Sequence, residues 1–139
     1  MNVREIMTSG VERIDPNTTL KEAARRMKSM DIGFLPVCEK DRLVGTVTDR
    51  DIAVRSVAEG HDVSKTTVDT IMSRNVFFCY DDEDVEECGR QMQGKSVRRM
   101  LVLSRDKKLI GVVSLGDIAR ISGVEPLAAK TLKQVSRAA

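Results

Sequence analysis

The sequence predicts a mixed α/β (α+β) chain: two β-α-β-β-α repeats packed with pseudo-two-fold symmetry. Two observations carry the prediction. The chain repeats itself at an offset of 65 residues, and each copy shows one amphipathic helical stretch followed by two short apolar runs.

The repeat is read residue by residue. V3-R-E-I-M-T-S-G-V11 stands above V68-D-T-I-M-S-R-N-V76, and at the same offset Arg25 falls on Arg90, Met27 on Met92, Ile32 on Val97 and Val37 on Val102. After one inserted residue, L43-V-G-T-V-T-D-R-D-I-A53 falls on L109-I-G-V-V-S-L-G-D-I-A119. Apolar positions, one glycine and one aspartate recur in order, so the chain is two copies of one unit. The expected boundaries are 1–60 for the first repeat, 61–66 for a linker, 67–122 for the second and 123–139 for a tail helix. A unit of about 60 residues buries only about 60% of its unfolded surface, so the two should pack together.

In the first copy Leu20, Ala23, Ala24 and Met27 make an apolar helical face, and T19-L-K-E22 before it is a capping box. In the second, D84-V-E-E87 precedes a face of Val85, Cys88 and Met92. The runs F34-L-P-V-C38 and L43-V-G-T-V47, and their partners M100-L-V-L103 and L109-I-G-V-V113, read as two-stranded hairpins. A second helix should follow each hairpin, over I52-A-V-R-S-V-A58 up to Gly60 and over I118-A-R-I121 up to Gly123.

Composition excludes several classes. The chain has 139 residues, 41% of them apolar and 3% aromatic, with 23 basic against 21 acidic residues. That is the balance of an ordinary globular protein, and no apolar run approaches the roughly 20 residues that cross a bilayer. With no signal-peptide pattern at MNVREIMTSG, a cytoplasmic location is expected. Charge is spread evenly outside the tail, and Phe34, Phe77, Phe78 and Tyr80 are too few for base stacking, so no nucleic-acid partner and no membrane are expected. Cys38, Cys79 and Cys88 read as buried small apolar residues, and His61 as a solvated linker residue without a metal-ligand neighbour. No nucleophile stands beside a base, so neither catalytic nor metal residues are assigned.

The chemistry lies where each hairpin meets its second helix. T48-D-R-D51 and S114-L-G-D117 place a hydroxyl and a carboxylate three residues apart at a helix start. One reading is a plain N-cap. The other is a ligand site, in which the carboxylate accepts from a ribose diol and the hydroxyl meets a phosphate.

These motifs resemble the CBS-domain pair, or Bateman module. V-R-E-I-M and V-D-T-I-M, I32-G-F-L-P-V37, and above all G45-T-V-T-D-R-D51-I and G111-V-V-S-L-G-D117-I are similar to the family's G-h-x-T/S-x-x-D element, over residues 1 to about 121. The arrangement looks most like stand-alone bacterial members. The resemblance implies two clefts for adenosine-containing ligands such as AMP, ATP, NAD or S-adenosylmethionine, held as regulatory ligands, with no cofactor required. Carried over by position, one cleft joins Thr48 and Asp51 to Ser73, Val97 and Arg98. The other joins Ser114 and Asp117 to Thr8, Ile32 and Gly33. Arg98 and Arg99 stand where the family can place basic residues that meet phosphate. Because Gly33 and Phe34 occupy the matching positions of the first copy, the clefts are chemically unequal.

The resemblance further implies a regulatory sensor whose occupancy is passed to a protein effector in trans, and a homodimer formed through helix faces. The alternative is a purely structural dimerisation module without ligand. The tail offers a face of Leu127, Thr131, Leu132 and Val135 with Lys130, Lys133 and Arg137 outside it, which must dock on its own body or on a second subunit.

Overall fold

The computed structural model describes residues 1–121 and 125–138, the side chains of 125–128, 131, 137 and 138 excepted. In chain order the elements are β1 (Thr8–Ser9), α1 (Leu20–Met30), β2 (Phe34–Glu39), β3 (Arg42–Thr48), α2 (Asp49–Ile52), β4 (Phe78–Tyr80), α3 (Val85–Lys95), β5 (Arg99–Leu103), β6 (Leu109–Ser114), α4 (Leu115–Ala119) and α5 (Glu125–Ala138). They form two compact units. A central unit comprises Glu12–Val76, and a terminal unit comprises Met1–Val11 with Phe77–Ala139.

Local chemistry explains the helices. Thr19 Oγ1 accepts the Glu22 N–H at 3.2 Å and starts α1, which buries Leu20, Ala23 and Met27 and closes on left-handed Asp31 at φ 53°. Ala24, expected in the buried stripe, is exposed. Three side chains one turn apart already fill the contact with the hairpin, and Ala24 lies in a surface groove beside Met27 and Ile52. In α3, Asp84 caps the Glu86 N–H at 3.0 Å, and Val85, Cys88 and Met92 face inward.

The hairpins sit as the apolar runs predict. β2 and β3 pair antiparallel from Phe34 opposite Thr48 to Glu39 opposite Arg42. β5 and β6 pair from Arg99 opposite Ser114 to Leu103 opposite Leu109. In the terminal unit β1 and β4 flank this hairpin, giving the order β1-β6-β5-β4 with β4 parallel to β5.

The spatial units are not the sequence repeats. The opening turn of each repeat is exchanged. Thr8 pairs with Val112 of β6, and Val3 lies in the terminal core with Met92, Val102 and Val113. Conversely, the backbones of Ser73 and Thr46 exchange two hydrogen bonds of 2.8 and 2.9 Å, and Val68, Ile71 and Met72 lie in the central core with Leu20, Leu35 and Val47. Burying a side chain such as Leu35 or Val47 stabilises by about 1.5 to 3 kcal/mol.

A second helix follows each hairpin, as the pattern predicts, but starts earlier, at Asp49 and Leu115, and the first does not stay a regular α-helix. After Ile52 the chain widens into a π-helical turn over Ala53–Val57, with Ala58 N–H on Ala53 O and His61 N–H on Ser56 O, both at 3.1 Å. Gly60 then takes φ 78°. His61 is half-buried with its Nδ1 shielded from solvent, where the sequence predicts a fully solvated residue. α4 ends at Ala119, and Gly123 lies outside the described residues.

Of the two docking modes open to the tail, the structure shows docking in cis: α5 packs on α3 and α4 of its own unit. Val135 is buried there, and Lys130 and Lys133 are exposed. The side chains of Leu127, Thr131 and Arg137 lie outside the described residues. All three cysteines are buried and free. Cys88 Sγ contacts Cys79 Sγ at 3.6 Å, and that hydrogen bond together with burial pushes the Cys79 thiol far up.

Candidate functional site

Each hairpin runs into a short helix whose first turn is closed by the hydroxyl and the carboxylate together. Thr48 N–H donates to Asp51 Oδ2 at 2.9 Å and Asp51 N–H donates to Thr48 Oγ1 at 3.0 Å. The second copy repeats this, Ser114 N–H to Asp117 Oδ2 at 2.8 Å and Asp117 N–H to Ser114 Oγ at 3.1 Å. Two backbone donors that the helix cannot pair are thereby satisfied.

The cap uses one oxygen of each carboxylate. Asp51 Oδ1 faces Arg55 Nε at 3.8 Å, and Asp117 Oδ1 faces an Arg120 nitrogen at 3.3 Å. Both arginines are more than half exposed, so these pairs are weak and easily rearranged. Each site therefore holds a positioned carboxylate whose second oxygen faces an exposed arginine, of which Arg55 also donates to the Ile71 carbonyl at 3.2 Å.

Within the central unit the structure places Thr48, Asp51 and Ser73 together with Ile32 and Gly33, which position alone assigns to the other cleft. Ser73 is bonded to Thr46, two residues before Thr48. Gly33 accepts the Asp49 N–H at 3.0 Å, and a Cβ on residue 33 would stand 2.9 Å from Asp49 Oδ2. Of these site residues only Ile32 lines the neighbouring groove of about 290 Å³, with Ala24, Met27, Lys28, Asp49 and Ile52.

Within the terminal unit it places Ser114, Asp117, Thr8 and Arg99 together with Val97 and Arg98, which position alone assigns to the cleft of Thr48 and Asp51. Thr8 pairs with Val112, two residues before Ser114, and Leu115 N–H donates to Arg98 O at 2.8 Å. Leu115, the counterpart of Asp49, is buried. Here a cavity of about 470 Å³ carries Arg98, Arg99 and Ser114 at its lining, with Leu115 and Ala119.

The inequality of the copies is thus coupled. Where one has Gly33 against Asp49, the other has Arg98 against Leu115. Sequence comparison shows the arginines; it does not show that the residue touching them changes as well.

Residues 3–57 and 68–123 each match the family described as CBS domain. The chain belongs to the CBS domain family. It is 36% identical over 118 residues to the CBS domain-containing protein YhcV of Bacillus subtilis, covering 85% of this chain and 83% of that protein. To hypoxic response protein 1 of Mycobacterium tuberculosis it is also 36% identical over 118 residues, covering 84% and 82%. A crystal structure of hypoxic response protein I with two coordinated zinc ions superposes with a TM-score of 0.78 over 86% of this chain and 98% of that one, at 36% identity. The CBS domain pair of protein MJ0100, solved with 5'-methylthioadenosine and S-adenosyl-L-methionine, superposes with a TM-score of 0.73 at 28% identity, over 90% and 98%.

In this CBS chain no group of three or more His, Cys, Asp or Glu is placed to hold a metal ion among the described residues. Nor is any described helix long and apolar enough to cross a membrane.

Proposed function

We propose that this CBS pair is a regulatory module that binds adenosine-containing ligands of the AMP, ATP or NAD type and passes occupancy to a protein effector in trans, as a cytoplasmic homodimer. The observation that carries the reading is the doubled carboxylate: Asp51 and Asp117 are each fixed through Oδ2 by the backbone, while Oδ1 is left to an exposed arginine. Such an oxygen accepts from a ribose diol, and the displaced Arg55 or Arg120 can turn to a phosphate.

In this reading Thr48 and Asp51 with Ser73, and Ser114 and Asp117 with Thr8, hold the ribose side of two ligands. Ile32 beside Gly33 in the central unit and Val97 in the terminal unit supply apolar surface, and Arg98 and Arg99 meet phosphate. That the MJ0100 pair was solved with two adenosine derivatives supports the ligand class. The reading assigns no reaction, no nucleic acid and no membrane.

A second reading, a structural dimerisation module, is favoured by the caps themselves, since hydroxyl and carboxylate already satisfy each other. Thermal melts with AMP, ADP, ATP, NAD and S-adenosylmethionine separate the two. A ligand at 100 times its dissociation constant adds about 2.7 kcal/mol, whereas the structural module melts at one temperature throughout.

A further inference from the structure

The cavity of the terminal unit has a wall that neither sequence repeat supplies. Arg98, Arg99 and Ser114 line it together with Ala119 of α4 and Ala129 and Leu132 of α5. The groove of about 290 Å³ in the central unit lies elsewhere in its repeat, between α1 and α2, and shares with this cavity only the position of Asp49 and Leu115.

Leu132 is the telling residue. Val135, less than one turn further along α5, is buried at 8% exposure, yet Leu132 keeps 46% of its surface in water at the cavity. A large apolar side chain half exposed on the lining of a two-arginine cavity is the arrangement that receives a molecule with one anionic and one flat apolar end.

We infer that α5 is part of the ligand site of the terminal unit, with Ala129 and Leu132 covering the apolar portion of the ligand whose phosphate meets Arg98 and Arg99. The inference rests on the adenosine-ligand reading and adds which element makes the two sites different. It also gives the module an output. A ligand that bridges the Arg98–Arg99 turn and α5 holds the tail against α3 and α4, so occupancy becomes a change in the stability of tail docking.

The test is calorimetric titration of AMP into the full chain and three variants. Ala129→Trp fills the cavity from an exposed helix position, and Leu132→Glu sets a carboxylate against the arginines. Gln134→Ala changes an exposed α5 residue away from the cavity. The expected result is that the first two weaken the terminal-unit site at least about tenfold, and Gln134→Ala changes affinity less than about twofold. AMP should also slow amide exchange along α5 in the wild type. Wild-type affinities and stoichiometry in both Ala129→Trp and Leu132→Glu overturn the role of α5 and leave the ligand reading standing. No AMP binding by the wild type overturns the ligand reading itself.

Discussion

Met72 lies against Gly45 so closely that a Cβ on residue 45 would stand 2.7 Å from the Met72 sulfur and 2.9 Å from the Ser73 carbonyl oxygen. The other copy repeats the contact, with Met7 and the Thr8 carbonyl at 2.6 and 2.9 Å from a Cβ on residue 111. Each glycine is the floor on which the opening turn of the other repeat rests. Gly45→Ala and Gly111→Ala should therefore each cost about 1 to 3 kcal/mol, seen as a fall of several degrees in Tm. Trimming the sulfur with Met72→Ala should not restore Gly45→Ala, because the carbonyl cannot withdraw. Wild-type melting of the glycine variants would contradict the exchange of opening turns.

Asp51→Ala and Asp117→Ala remove a cap oxygen and the proposed ribose acceptor together. The loss of stability should stay near 1 kcal/mol, the scale of an N-cap, while nucleotide affinity at the affected site falls at least about tenfold. Melting curves and titrations on the same samples check this. Unfolding without a separate loss of binding in the folded fraction would return both residues to a capping role.

Much of this was legible in the sequence because period, capping residues and paired apolar runs act locally. The faces of α1 and α3, both hairpins, and the Thr48–Asp51 and Ser114–Asp117 elements could be read from spacing. The exchange of opening turns could not, since V3-R-E-I-M and V68-D-T-I-M carry the same local pattern whichever hairpin they join. Gly45 and Gly111 at matching positions were the available signal, and they speak only once the sulfurs are seen beside them. Ala24 fits the helical period yet faces water, because period marks a direction and not the width of the contact. The π-helical turn after Ile52 escaped for a similar reason: its residues suit an ordinary helix, and the Ser56–His61 backbone bond that accompanies the wider turn is not a local preference. At the site, the Gly33–Asp49 and Arg98–Leu115 pairs depend on contacts between residues far apart in sequence.

Burial pushes the Cys38 thiol up, and the Cys88 contact together with burial does the same for Cys79. The thiolate is the reactive form. The folded protein at neutral pH should therefore leave Cys38 and Cys79 unmodified by an aromatic disulfide reagent for as long as it stays folded, and release all three thiols in guanidinium. Rapid labelling of Cys38 or Cys79 in the native state would show that its element opens readily.

The proposed homodimer should appear in light scattering at about 100 µM chain as twice the 15.4 kDa chain mass. Val54 and Val57, on the π-helical turn, are 50% and 61% exposed and supply an apolar face for it. Val57→Lys should shift the mass toward the monomer. A wild-type mass of one chain, with and without AMP, would remove the dimer.

The central claim is that this CBS pair holds adenosine nucleotides through its two carboxylates and a phosphate-facing arginine. The most direct measurement is calorimetry of AMP and of adenosine with the wild type and with Arg98→Ala. We expect AMP to bind the wild type with micromolar to millimolar affinity, roughly 4 to 8 kcal/mol. Arg98→Ala should weaken AMP and leave adenosine unchanged. Absence of heat and of thermal stabilisation with millimolar AMP, ADP, ATP, NAD and S-adenosylmethionine would contradict the claim.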